Sequence, residues 1–133
     1  AQALGYGPDD LQRLALAACL HDVGMVTVPW DILAKPGQLS PEELALVHQH
    51  PEDGSRLLKA LGPEFDWLVA VAGQEHERED GSGYPRGLKG DEIHEYAKII
   101  GLADVLRVKR AIAARVTRSG LFPGSVAFSD FLV

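Results

Sequence analysis

Residues 8–23 read "PDDLQRLALAACLHDV": a proline and two acidic residues, then apolar side chains that recur every three or four positions. Leu11, Leu14, Ala15 and Ala18 share one helical face, and Asp9 and Asp10 sit where the positive end of a helix dipole stabilises carboxylates. The stretch reads as a buried helix that delivers His21 and Asp22 at its C-terminal end. The same period returns further along the chain, predicting helices at about residues 9–23, 41–50, 52–61, 64–77 and 94–116 with no substantial sheet. The fold class is all-α.

Between the first two helices, "GMVTVPWDILAKPGQLS" (24–40) carries Gly24, Pro29, Pro36 and Gly37 and is expected to be an extended connector. Ser40, with Pro41 after it and Glu43 three positions on, forms the pattern of a capping box. Pro51 should stop or bend the helix that follows, which leaves His50 at a helix end. In "PEFDWLVAVAGQEHER" (63–78), Phe65, Leu68, Val69 and Ala72 form a face whose continuation reaches His76. In the last helix Ala97, Ile100, Ala103 and Asp104 form the corresponding stripe. Residues 118–133 show no clear period and are expected to form an irregular tail, leaving 1–117 as the domain.

At 133 residues the chain is sized for one domain with one sizeable core. Thirteen basic against nineteen acidic residues give a net charge of −6, which excludes general electrostatic attraction to DNA, RNA or anionic membrane. An anionic ligand must therefore be held by a local cluster or by metal. Cys19 is the single cysteine, so no intramolecular disulfide can form; a cytoplasmic setting and a core-packing role for Cys19 are expected. No apolar run approaches the ~20 residues a membrane-spanning helix needs, so membrane insertion is not expected.

Metal-binding side chains recur at the ends of the apolar faces: His21 with Asp22, His50, His76 with Glu75, and Asp104. Each alone is more simply a hydrogen-bonded core residue. Together they bring an imidazole or carboxylate inward from four helices, the way helical bundles build metal sites; the alternative is a buried polar network. His21 and Asp22 differ by about 100° around a regular helix, so only an irregular end lets both reach one site. A carboxylate there could bridge two cations, and mixed nitrogen and oxygen ligands favour iron, manganese or zinc over magnesium or calcium.

The stretches "HDVGMVTVPWDILAKPGQLSPEELALVHQHPEDGSRLL", "EHEREDGSGYPRGLKGDEI" and "AKIIGLADV", in that order, closely resemble the HD-GYP domain, a branch of the HD phosphohydrolase superfamily. The resemblance covers about residues 9–105. It implies a helical bundle with a metal site of two or three ions, hydrolysis of cyclic di-GMP or a related phosphoester by metal-activated water, and a role as output domain behind receiver or sensor modules in bacterial signalling. It also implies His21, Asp22, His50, His76 and Asp104 as metal ligands, with His21 and Asp22 at the catalytic centre. For this chain one or two ions are expected, iron or manganese by its donor set, with zinc possible. Gly83, Tyr84, Pro85 and Arg86 of the polar loop would lie beside the nucleotide pocket and could meet a diguanylate cyclase. Glycines at 81, 83, 87 and 90 would let that loop turn tightly.

Three positions depart from the family pattern. Met25 stands where a lysine usually approaches the phosphate, Glu75 where a first histidine is usual, and Arg107 where an acidic residue follows Asp104. The helix that usually precedes the HD doublet and supplies a further ligand would fall before Ala1. These departures lead to the expectation of weak or absent hydrolysis, and to the alternative of a degenerate HD-GYP module that binds nucleotide or a protein through the GYP loop.

Overall fold

The computed structural model describes residues 5–119, with side chains described for 5–107. The expected 118–133 tail lies outside the described residues apart from its first two positions. The chain divides into two compact units, Ala1–Gly101 and Leu102–Val133. In the first, α1 (Pro8–Leu20) leads into a 3-10 helix (His21–Thr27); α2 (Trp30–Leu33), α3 (Pro41–Val47) and α4 (His50–Leu58) follow, and two short 3-10 turns precede α5 (Asp66–Ala72). The final helix, α6 (Glu95–Ser119), begins in the first unit. No strand occurs among the described residues, only an isolated antiparallel bridge between Asp80 and Lys89. The all-α class is correct.

Several boundaries differ from the sequence reading. The inward stripe of α1 is Leu14 and Ala17, while Ala15, Ala18 and Cys19 are exposed. The register is therefore Asp10, Leu14, Ala17 and His21, at i, i+4, i+7 and i+11, which carries His21 inward. Cys19 is not a core residue because it lies two positions off that stripe. The expected extended connector instead continues as the 3-10 helix and then one turn of α2. His50 opens α4 rather than closing α3, because Pro51 occupies the first turn, where its missing N–H costs nothing. α5 ends at Ala72, so Glu75 and His76 stand in turns beyond it rather than on an extended helical face.

The expected capping box is present: Glu43 N donates to Ser40 Oγ at 3.2 Å and Ser40 N donates to Glu43 Oε2 at 2.7 Å. The core gathers Leu14 and Ala17 of α1, Leu58 of α4, Leu68, Val71 and Ala72 of α5, and Ile93, Tyr96, Ala97 and Ile100 around the start of α6. Polar bonds fix the same contacts. Tyr96 donates its hydroxyl to Asp10 at 2.5 Å, Tyr6 donates to Glu95, and His94 N donates to Gln74 Oε1 at 2.6 Å. These hold the start of α6 against α1 and the end of α5, and the site is built at that junction.

Candidate metal centre

The backbone of the 3-10 helix passes so close to α4 that a Cβ on Gly24 would lie 1.9 Å from the His50 carbonyl oxygen and 2.5 Å from Gly54 N. Only glycine permits that approach, and the approach brings Asp22 up to His50. The helix type changes at His21, and there Asp22 folds back beside its neighbour, its Oδ2 3.2 Å from His21 Nε2. Buried Pro51, Gly54 and Leu58 seat the inner face of α4, which leaves His50 aimed inward and only 3% exposed.

Asp22, His50, Glu75 and His76 each present one ligand atom, all within 4.8 Å of one another, so the four could hold a metal ion. His50 Nε2 lies 3.2 Å from His76 Nε2. Two imidazole nitrogens on one tetrahedral cation, each at ~2.0–2.1 Å, stand about 3.3 Å apart. The carboxylates are shared. Asp22 Oδ2 approaches His21 Nε2 at 3.2 Å while Asp22 Oδ1 approaches His50 Nε2 at 3.6 Å. Glu75 Oε2 approaches His21 at 3.7 Å and Glu75 Oε1 approaches His50 at 3.5 Å. Each carboxylate thus turns one oxygen toward His21 and the other toward the His50 side.

Two further observations fit this donor set to a cation. His21 Nε2 and both Glu75 carboxylate oxygens are buried without a hydrogen bond, which is costly unless something else neutralises them. His21 Nδ1 donates to the Ala18 carbonyl at 3.0 Å and His50 Nδ1 to the Val47 carbonyl at 2.7 Å. That second bond orients each ring with Nε2 toward the cluster, the tautomer-setting role played by outer partners of metal-binding histidines.

Without a cation, protons fill the same role. The Asp22 carboxylate beside His21 raises the imidazole pKa to about 9, against the opposing effect of burial. Asp22 is lowered mainly by the adjacent His21 imidazole, and Glu75 is raised by burial. Burial pulls His50 down, but Glu75 and the Val47 carbonyl outweigh it and the net shift is upward. In the metal-free chain His21 therefore contributes stability that is full below its ordinary pKa of 6.5 and is lost as pH rises through about 9. Thermal melts of the chelator-treated chain should show the wild-type advantage over His21→Ala shrinking across that window. An advantage that grows with pH would contradict the ion pairing.

The loop after His76 is pinned to the site from beneath. Glu77, 8% exposed, accepts from Arg86 N at 2.7 Å through Oε1 and from Leu88 N at 2.9 Å through Oε2. Tyr84 N donates to the His76 carbonyl at 3.2 Å. A Cβ on Gly83 would meet Arg78 N, Glu77 Cα and His76 O at 2.4–2.5 Å, so glycine is needed there for contact, whereas Gly81, Gly87 and Gly90 are needed for positive φ. Glu77 was not singled out in the sequence: its carboxylate reaches amides nine and eleven residues away, and only loop closure brings them together. Glu77→Ala strands both amides, each at about 1–3 kcal/mol if they stay buried. Faster hydrogen exchange at Arg86 and Leu88 with helices intact is the expected result.

Met25 is half-buried in the 3-10 helix and brings no hydrogen-bond donor there. Asp104 belongs to the second unit, where it accepts from Arg107 Nη2 at 3.2 Å, the pairing its i,i+3 spacing suggested. A cavity of about 530 Å³ lies along α4 and α5, lined by Arg56, Lys59, Asp66, Gln74 and Arg86 among others. None of the four cluster residues lines it. No helix among the described residues is long and apolar enough to cross a membrane.

The family model for the HD domain matches residues 1–123. The chain is 40% identical over 106 residues to the cyclic di-GMP phosphodiesterase response regulator RpfG of Xanthomonas campestris, covering 79% of this chain and 28% of that protein. It is 41% identical over 105 residues to a cyclic di-GMP phosphodiesterase of Thermotoga maritima, covering 78% and 28%. A 3'3'-cGAMP-specific phosphodiesterase 3 of Vibrio cholerae is 42% identical over 105 residues, covering 79% and 23%. The chain spans about a quarter of the length of these relatives. With its HD doublet and GYP loop set around one cluster of histidines and carboxylates, this chain belongs to the HD domain family, as a member of HD-GYP type.

Proposed function

We propose that the chain is the phosphohydrolase domain of a bacterial second-messenger system and hydrolyses a cyclic dinucleotide, cyclic di-GMP or a related phosphoester, with a divalent metal centre. The observation that carries this reading is the pair of carboxylates, Asp22 and Glu75, each shared between His21 and the His50–His76 side. The relatives named as cyclic di-GMP and 3'3'-cGAMP phosphodiesterases support the substrate class. A bound divalent cation supplies Lewis-acid activation of water and of phosphoryl oxygens. His21, Asp22, His50, Glu75 and His76 would hold it, and the mixed donors suit iron or manganese before zinc. Asp22 is half-exposed while Glu75 is buried, so Asp22 is the carboxylate of the pair that solvent reaches.

The domain is proposed to run over residues 1–117 in a cytoplasmic setting, with Gly83–Arg86 available to a diguanylate cyclase or a receiver or sensor domain. Turnover is expected to be slow, below ~1 s⁻¹, the low end of the usual range. Met25 offers phosphate no donor, and Arg107 engages Asp104. The test incubates iron- or manganese-loaded protein with cyclic di-GMP and with 3'3'-cGAMP and follows the linear dinucleotide and mononucleotides. Slow hydrolysis that vanishes in Asp22→Ala supports the reading. No product from either substrate, with metal demonstrably bound, overturns it, and turnover well above 1 s⁻¹ overturns the expectation of slowness.

A further inference from the structure

The Tyr84 ring stacks on two histidines: His48, with centroids 4.1 Å apart and planes at 21°, and His76, at 4.8 Å and 12°. His76 in turn meets His50 edge-on with Nε2 atoms 3.2 Å apart. A continuous column of rings therefore runs from His48, at the end of α3, through the loop to the metal cluster. The backbone reinforces it, because Tyr84 N donates to the His76 carbonyl and Gly83 packs against the same carbonyl. His48 is placed for this by the break between α3 and α4: its N–H closes the last turn of α3 on the Leu44 carbonyl, and two residues later His50 opens α4. One break thus directs His48 to the loop and His50 to the cluster.

From this geometry we infer that His48 is a positioning residue: by clamping Tyr84 it holds both the GYP loop and the His76 imidazole, so that loop order and metal affinity rise and fall together. The inference rests on the proposed metal site but concerns a residue outside the ligand set. His76 lies in a turn past the end of α5, where no helical ladder fixes its ring. The stack on Tyr84 is one of the contacts that orient the ring, and stacked aromatic pairs of this kind carry enough energy to change an equilibrium by about 2–10-fold. Phenylalanine at position 48 can stack as imidazole does, without its nitrogens, whereas alanine removes the His48 side of the stack on Tyr84.

The experiment compares wild type, His48→Ala and His48→Phe by cobalt(II) affinity, read from the ligand-field band, and by hydrogen exchange of the Tyr84 amide. His48→Ala is expected to weaken cobalt binding and to speed Tyr84 exchange, each by about 2–10-fold, and His48→Phe is expected to restore both. A wild type that binds cobalt while His48→Ala matches it in both readings overturns the clamp alone. So does a His48→Phe chain no better than His48→Ala, because the effect would then belong to the imidazole nitrogens rather than the stack. A wild type that binds no cobalt overturns the metal-site reading and the coupling with it.

Discussion

Replacing His50 with alanine is expected to remove the proposed divalent-metal binding and, with it, the proposed cyclic dinucleotide hydrolysis, while leaving the chain folded. His50 is the side chain on which the cluster converges: its Nε2 lies 3.2 Å from His76, 3.5 Å from Glu75 and 3.6 Å from Asp22. Loss of an outer partner of a metal ligand typically costs 10–100-fold in affinity, so loss of this ligand should cost more than ~100-fold. Folding should survive because α4 is seated by Pro51, Gly54 and Leu58, which the substitution leaves in place. Calorimetric titration with manganese and a circular dichroism melt on the same sample separate the two effects. A variant that keeps wild-type affinity would show that the cluster does not hold the metal. Glu75→Gln is a useful companion, since it preserves shape but removes the buried charge that raises His50 and His21.

Gly24→Ala should have the largest effect on stability. The added methyl would lie 1.9 Å from the His50 carbonyl oxygen, 2.5 Å from Gly54 N and 2.9 Å from the His50 carbonyl carbon. All three are backbone atoms, so no side-chain rotation relieves the clash. Either the 3-10 helix or the first turn of α4 must move, and both carry cluster residues. Overpacking of this severity costs about 3 kcal/mol or more, which lowers Tm by roughly 10 °C for a domain of this size. Metal affinity should fall with it, because Asp22 is drawn away from His50. A melting temperature within ~2 °C of wild type would show that the two segments are not in fixed contact. Gly37→Ala is not a comparable control, since its φ of 113° strains any side chain, although nothing stands within 4 Å of its Cβ position.

What the amino-acid sequence determined by itself is local. Helix-period apolar residues set the all-α class, the Ser40–Glu43 box set the start of α3, and the order of the HD doublet, the His50 segment and the GYP loop identified the family. Those features depend on neighbours within a few positions, which a linear reading can inspect. The tertiary structure decided the rest. The sequence called for an irregular end after α1 if His21 and Asp22 were to reach one site; that this irregularity is a seven-residue 3-10 helix, whose N–H groups bond three rather than four residues back, was not legible. The true stripe of α1, through Leu14 and Ala17, was chosen by where α5 and α6 pack rather than by hydrophobicity, since Ala15 and Ala18 are no less apolar. Glu77 and His48 acquired their roles from partners far along the chain, the amides of Arg86 and Leu88 and the ring of Tyr84. A residue's type states what bonds it can make; which of them it makes is settled by long-range packing, and that is why candidate ligands could be picked out in sequence while the groups that position them could not.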